Sequence, residues 1–249
     1  MFKGKLMLSG NNAKTVKGDG TEYETAIMYL APFTMSGAGN VCAMAQQAKC
    51  IDGCLNTAGR GAFSNVQKAR IAKTVRYMKQ RGEFMAQLVD DLRRFSNYCK
   101  RKGVQPCVRL NGTSDIMWEK GHPVVIEGLR FASVMEAFPE VQFYDYTKIY
   151  TRVDKAMPGN YALTLSYSEA NHDFAREVVQ RVMGGKANMA VVYRTKAQAQ
   201  TNVAGGEIDG DVTDMRFLDP QPVDGAPGRI VALYAKGKAK KDQSGFVVD

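Results

Sequence analysis

The sequence predicts an α/β protein, a full or partial (βα) barrel of parallel strands with an N-terminal cysteine-rich loop segment. Short apolar runs recur down the chain, each followed by a polar, chemically reactive segment. Helical periodicity lies between several of those runs, and strands alternating with helices argue for parallel βα units. Ahead of the first long helix, three cysteines crowd into one loop, VCAMAQQAKCIDGCLNTAGRG.

The chain reads as one domain, with strands and the cysteine loop in 1–62 and βα units in 63–249. The first forty residues are Gly-rich, and MFKGKLML and YETAIMYL are candidate short strands. A loop, PFTMSGAGN, leads into the cysteines. Over 64–102 the pattern turns helical. Ile71, Val75 and Met78 form one stripe, and after an expected break at Gly82 it is continued by Phe84, Leu88, Leu92 and Phe95. Gly103 marks the stop. Strands are then expected at 104–110, 141–144, 161–165, 189–193 and 229–234. They lead into NGTSD, DYTK, SYSEAN, RTK and AKGKAKK. A helix over 170–183 carries Phe174, Val178 and Val182 in register. In parallel βα folds ligands gather at the C-terminal ends of the strands, where these polar segments fall.

Composition narrows the function. An apolar fraction of 45% and a charged fraction of 24% suit a globular chain of 249 residues. No run approaches the roughly 18 consecutive apolar residues of a membrane helix, and MFKGKLMLSGNN lacks the apolar core of a secretory signal. The expectation is a cytoplasmic protein with reduced thiols and no membrane partner. The net charge of +9 favours a polyanion, so nucleic acid or a nucleotide is the expected partner.

Cys42, Cys50 and Cys54 are three of only five cysteines, spaced C-x7-C-x3-C. Soft thiolates select iron–sulfur clusters or zinc over hard cations. The paired C-x2-C knuckles of structural zinc are absent, so an iron–sulfur cluster is the first expectation and zinc the alternative. Three cysteines alone would leave one cluster iron open for a small-molecule ligand. Cys99 and Cys107 are a possible fourth ligand, but their positions on a helix face and at a strand start suit buried core thiols.

The strand-end polar sets supply the other candidates. Asn111, Thr113 and Ser114 lie beside Gly112, which permits close backbone approach to a ligand; an Asx or Ser/Thr turn is the structural alternative. Asp115, Asp145, Lys148 and Glu169 are the candidate catalytic groups, and Ser166 and Ser168 join the candidate cofactor contacts. Ser168 also suits a helix N-cap. His122 and His172 have no triad or ligand spacing. Asp209, Asp211 and Asp214 alternate but miss EF-hand register, and no GxxxxGK[ST] motif occurs. Arg60, Lys236, Lys238, Lys240 and Lys241 are candidate phosphate contacts.

Four segments carry a resemblance. YLAPFTMSGAGNVCAMAQQAKCIDGCLNTAGRG, VRLNGTSDIMWE and FPEVQFYDYTK, followed by NYALTLSYSEAN, resemble the phage gene product 88 family from about residue 30 to the C-terminal AKGKAKKDQSGFV. A remoter likeness is to radical S-adenosylmethionine-like proteins. It rests on the order of a cysteine loop and strands ending in N-x-x-SD, T-K and S-x-E. That likeness implies a [4Fe–4S] cluster on Cys42, Cys50 and Cys54, with S-adenosylmethionine near Asn111, Ser114, Asp115, Ser166 and Glu169. The usual radical spacing is C-x3-C-x2-C, from which this chain departs. The functional expectation is an iron–sulfur enzyme acting on nucleic acid or nucleotides. The alternatives are a non-enzymatic nucleic-acid-binding protein with structural zinc or no metal, and a metal-dependent nuclease using Asp115, Asp145, Asp209 and Asp211.

Overall fold

The computed structural model describes residues 1–9, 22–223 and 225–249, so part of the Gly-rich N-terminal stretch lies outside the described residues. Its centre is a mostly parallel sheet of eight strands. These are β1 (Met7–Ser9), β2 (Tyr23–Met28), β3 (Gln105–Arg109), β6 (Gln142–Thr147), β7 (Tyr161–Ser166), β8 (Met189–Tyr193), β9 (Ile208–Asp209) and β10 (Ile230–Tyr234). A separate hairpin pairs β4 (Val124–Ile126) with β5 (Leu129–Phe131), turning through Glu127 and Gly128 at positive φ. The spatial order of the sheet is β1-β2-β3-β6-β7-β8-β10-β9, with only β1 antiparallel to its neighbour.

From β2 to β8 the parallel strands follow chain order, each crossover stepping in the same direction as in a barrel; only at the edge does the order reverse, where β10 inserts between β8 and the two-residue β9. Closure does not follow. β1 and β9 end the sheet at opposite edges, so the expected full barrel is corrected to an open, singly wound array.

The expected helices form with adjusted ends. Helix α1 (Ser64–Lys79) stops at Gln80, and α2 (Arg81–Lys102) starts at once, so the break precedes Gly82 by two residues. Arg81 explains the position. Its Nε donates to the Tyr77 carbonyl at 2.9 Å, and its guanidinium stacks on the Tyr77 ring at 3.8 Å. That covers a carbonyl freed by the kink. Gly103 ends α2 in the left-handed conformation as expected, with φ of 70°. A short helix, α3 (Val134–Ala137), precedes β6. Helix α4 (His172–Met183) buries Phe174, Val178 and Val182. Its N-cap is Asn171, not Ser168, with the Phe174 amide donating to Asn171 Oδ1 at 3.0 Å. Helix α5 (Lys196–Ala204) has no apolar stripe; a Thr195–Gln198 capping box starts it.

The sheet has two unlike faces. Val108 and Phe143 pack with Phe84, Leu88, Leu92 and Phe95 of α2 in the main core. On the reverse face, Cys107 and Tyr144 pack with Met215. This second face leads upward into the candidate site.

Candidate metal and ligand site

A cavity of about 220 Å³ opens at the C-terminal ends of the parallel strands, and Cys42, Cys50 and Cys54 all line it. The strands contribute Arg109, Tyr146, Ser166, Val192 and Tyr234, and the turns after them contribute Asn111, Asp115, Lys148 and Lys236. Phe246, from the C-terminal tail, forms part of the wall facing the cysteine loop.

Each cysteine has a local reason for its position. Phe33 adopts a positive φ of 51°, and its amide donates to Cys42 Sγ at 3.3 Å. The Asn56 amide donates to Cys54 Sγ at 3.5 Å. The Cys50 thiol points to the Ala45 carbonyl at 3.8 Å. Backbone N–H groups aimed at sulfur are the contacts that stabilise a ligating thiolate and tune a centre bound to it. Burial pushes the Cys42 thiol up to about 12, and pushes Cys54 up as well. Cys42 feels the charge of both Cys54 and Cys50, so the three sulfurs share one electrostatic neighbourhood.

The loop is pinned by the far end of the chain. Ser168 Oγ donates to the Ala48 carbonyl at 2.8 Å and to Gly245 at 3.3 Å. Ser244 Oγ donates to the Lys49 carbonyl at 3.2 Å, and the Lys238 amide to Thr57 Oγ1 at 3.4 Å. Gly53 must lack a side chain, because a Cβ there would stand 2.7 Å from the Phe246 ring. Residues 237–249 therefore act as a strap over the cysteine segment. No local pattern announces this, since its contacts join positions nearly two hundred residues apart.

The opposite wall is a saturated polar network. Asn111 Oδ1 accepts from Ser114 Oγ (2.9 Å), the Ile116 amide (3.0 Å) and Trp118 Nε1 (3.1 Å). This turn is the Asx alternative realised, and it presents Thr113 and Ser114 to the cavity. Thr113 Oγ1 itself donates to the Leu30 carbonyl at 2.5 Å. Asp115 accepts from the Lys148 amide (2.7 Å), Thr147 Oγ1 (2.8 Å) and Arg152 (3.3 Å). Burial raises its carboxyl above the usual range, opposed by the Arg152 charge.

Asp145 stands elsewhere. β6 runs on to Thr147, so Asp145 lies inside the strand and faces away from Tyr146, which lines the cavity. It is fully buried and accepts from the Asn111 amide, Asn111 Nδ2 and Tyr161 Oη at 2.8, 3.0 and 2.8 Å. Its position supports the turn from behind. Glu169 is exposed and does not line the cavity. Ser168 is spent on the strap.

Lys148 is placed to meet a ligand. Its Nζ donates to Ser166 Oγ at 2.7 Å and sits 5.0 Å from the centre of the Phe246 ring, within the cavity lining. Lys236 also lines it but pairs with Asp211 at 2.7 Å. Arg109, unremarked in the sequence, bonds Asp214 at 3.0 Å beneath the cavity. Arg60, Lys238, Lys240 and Lys241 are exposed and outside the lining. Cys99 and Cys107 are buried away from it, with Cys107 Sγ 3.0 Å from Thr25 Oγ1. His122 is buried against Tyr77 Oη at 2.8 Å.

Among the described residues, no three His, Cys, Asp or Glu side chains converge closely enough to hold one metal ion. A lone zinc with sulfur bonds of 2.3 Å would draw its thiolates to about 3.8 Å from one another. A cluster binds each thiolate to a different iron and so accepts a wider set. Asp115, Asp145, Asp209 and Asp211 make separate bonds and are not gathered at one point. No described helix is long and apolar enough to cross a membrane.

A family model described as gene product 88 matches residues 5–249, nearly the whole chain. No curated protein and no solved structure matches it. The chain thus belongs to the gene product 88 family of phage proteins.

Proposed function

We propose that the protein is a cytoplasmic iron–sulfur protein that binds a small carboxylate- or phosphate-bearing ligand, S-adenosylmethionine or a nucleotide, beside a cluster held by Cys42, Cys50 and Cys54. One observation carries this reading: the three clustered thiols line a single cavity at the strand ends, together with Lys148. A three-thiolate cluster leaves an iron open to a ligand and supplies single electrons.

The chain's own groups support the rest. Lys148 and Ser166 offer a charge-assisted clamp for a carboxylate or phosphate. Tyr146, Tyr234 and Phe246 give the apolar and aromatic surface on which a planar base stacks. The tail packs on the cysteine segment through Ser244 and sets the Phe246 ring into the cavity lining, beside Lys148. Exposed Arg60, Lys238, Lys240 and Lys241 lie in the two segments joined by the Lys238–Thr57 bond, and they suit a polyanionic substrate such as nucleic acid.

The test is electron paramagnetic resonance of the anaerobic, dithionite-reduced protein with and without S-adenosylmethionine or a nucleoside triphosphate. A cluster signal that one of these ligands shifts, and that no longer shifts in Lys148→Met, supports the reading. A cluster signal indifferent to both ligands would reject the ligand half of it, and absence of any signal would reject the cluster.

A further inference from the structure

Residues 64–102, which span α1 and α2, hold eleven Lys and Arg against three Asp and Glu. That net +8 is nearly the whole +9 of the chain. Within the segment, α1 carries five cations and no acid at all. Solvated helices usually interleave the two signs, and α2 and α4 do so: Arg94 pairs with Asp90, Arg176 with Asp173 and Arg181 with Glu177. In α1, by contrast, Arg70, Lys73, Arg76 and Lys79 follow one another at i,i+3, so like charges are neighbours. A polyanion laid on the helix relieves that repulsion.

The helix sorts its faces. Arg70, Thr74 and Tyr77 are buried, whereas Lys68, Ala69, Ala72 and Lys79 are exposed and Arg76 is partly so. At 3.6 residues per turn, Lys68, Ala72, Arg76 and Lys79 fall within about 80° of one another. From Lys68 to Lys79 the rise is about 16 Å, enough for roughly five charges of one stacked strand at 3.4 Å each. The alanines add little bulk, so a phosphate backbone can approach the helix closely. They also supply no large apolar side chain of the kind a membrane-seeking helix inserts into lipid.

Phe63 stands at the head of this helix. It is 57% exposed and occupies the N-cap position, where its side chain makes no capping bond. Neither burial nor capping explains an aromatic ring there. A solvated ring at the end of a row of cations is a combination that binds single strands, because an unpaired base stacks on the ring while phosphates follow the cations. The same end of α1 is tied to the cavity loop. Asn56 exchanges two hydrogen bonds with the Gln67 side chain, each at 2.9 Å, and donates its backbone amide to Cys54 Sγ. Cys54 and Leu55 line the cavity, so a strand along α1 ends beside it.

We propose that Phe63 and the Lys68–Arg76–Lys79 face of α1 form a binding surface for single-stranded nucleic acid, the ring stacking a base and the cations tracking the backbone toward the cavity. The inference rests on the nucleic-acid part of the reading above and deepens it, naming the strand form and a track longer than the exposed cations around the Lys238–Thr57 bond.

Fluorescence anisotropy of a labelled single-stranded oligodeoxythymidine, titrated with the full-length protein at several salt concentrations, tests it. Each variant is first matched to the parent by circular dichroism. Parent affinity is expected to fall with salt. The triple variant Lys68→Gln, Arg76→Gln, Lys79→Gln should flatten the slope of log affinity against log salt by about two, at about 0.7 per phosphate contact on a single strand. Lys68→Arg, Arg76→Lys, Lys79→Arg, which keeps the charges, should retain the parent slope. So should Lys155→Gln, Lys186→Gln, Lys196→Gln, which removes three exposed charges from other elements. Phe63→Ala should weaken binding about tenfold with the slope unchanged, the loss of one stacked base. Equal flattening in the α1 and distant triples would reduce the effect to net charge and overturn the proposal. Binding that neither the α1 triple nor Phe63→Ala alters would overturn it while leaving a nucleic-acid partner standing, and a parent that does not bind the oligonucleotide would sink that partner too. A duplex bound as tightly as the single strand, or phosphatidylserine vesicles bound more tightly, would also overturn it.

Discussion

Cys42 and Asp115 pair backbone to backbone across the wall of the cavity, yet their side chains live in different surroundings. Asp115 accepts three hydrogen bonds from Thr147, Lys148 and Arg152, and its neighbours Asn111 and Asp145 are bonded as completely. Cys42 has one amide at 3.3 Å and a weak contact to the Thr113 carbonyl at 3.9 Å. One wall is finished by the chain itself, and on the proposed reading the other is finished by a bound centre. Saturated buried networks rigidify a fold and are expensive to break. The Cys42 and Cys54 thiols, pushed up by burial, make only a few long contacts to the chain.

The contrast can be broken from either side. The largest effect is expected in the finished wall. Arg152 bonds Asp115, Glu119 and Tyr161, so Arg152→Met strands buried carboxylates and should cost about 3–5 kcal/mol in urea unfolding. A loss below about 1 kcal/mol would show the wall to be less coupled than its bonds imply. In the other wall, Cys54→Ala should change stability by no more than about 1 kcal/mol while abolishing metal retention. A large loss of stability in the metal-free chain would make that cysteine a packing residue.

Smaller effects sharpen the comparison. Lys148→Met should weaken a carboxylate- or phosphate-bearing ligand by roughly tenfold to a hundredfold, the loss of one charge-assisted bond, with thermal stability unchanged. Calorimetric titration reads it, and equal affinity in the variant would remove Lys148 from the site. Metal uptake should weaken steeply as pH falls, because Cys42, held up to about 12, must give up its proton to ligate. Uptake independent of pH between 6 and 9 would contradict thiolate ligation. Least of all, His122 at the back of the finished wall is held below its ordinary value of 6.5, first by burial and then by the Arg81 charge. The unfolded chain takes up that proton first, so this contribution to stability is present above about pH 6.5 and lost as pH falls through the folded value. His122→Gln should flatten that slope, measured by urea unfolding across pH 5 to 8.

How legible each wall was in the sequence follows from the range of its contacts. The strands at 161–165, 189–193 and 229–234 and the helical stripe of Phe84, Leu88, Leu92 and Phe95 are local periodic signals, and they form with small changes at their ends. Asp145 misled because a polar residue after an apolar run looks like the end of a strand. β6 continues for two residues beyond it, and alternation turns its side chain to the helix-packed face. The Thr195–Gln198 capping box was a readable start for α5, masked by the lack of an apolar stripe. Arg109 carried a hint, a charge inside a strand on the same face as Cys107. Phe246 and the strap over Ala48, Lys49 and Thr57 left none, because the pairing of distant segments has no local pattern. Arg70 looked like one of many basic helix residues, and only its burial sets it apart.

The central claim, that three thiols in one cavity jointly hold a multi-iron centre, is tested most directly by iron and acid-labile sulfide content of anaerobically purified protein. The chain is measured beside Cys42→Ala, Cys50→Ala and Cys54→Ala. Iron and sulfide in near-equal amounts in the parent, lost in each single variant, is the expected result. Stoichiometric zinc without sulfide, or a metal content indifferent to all three substitutions, would contradict it.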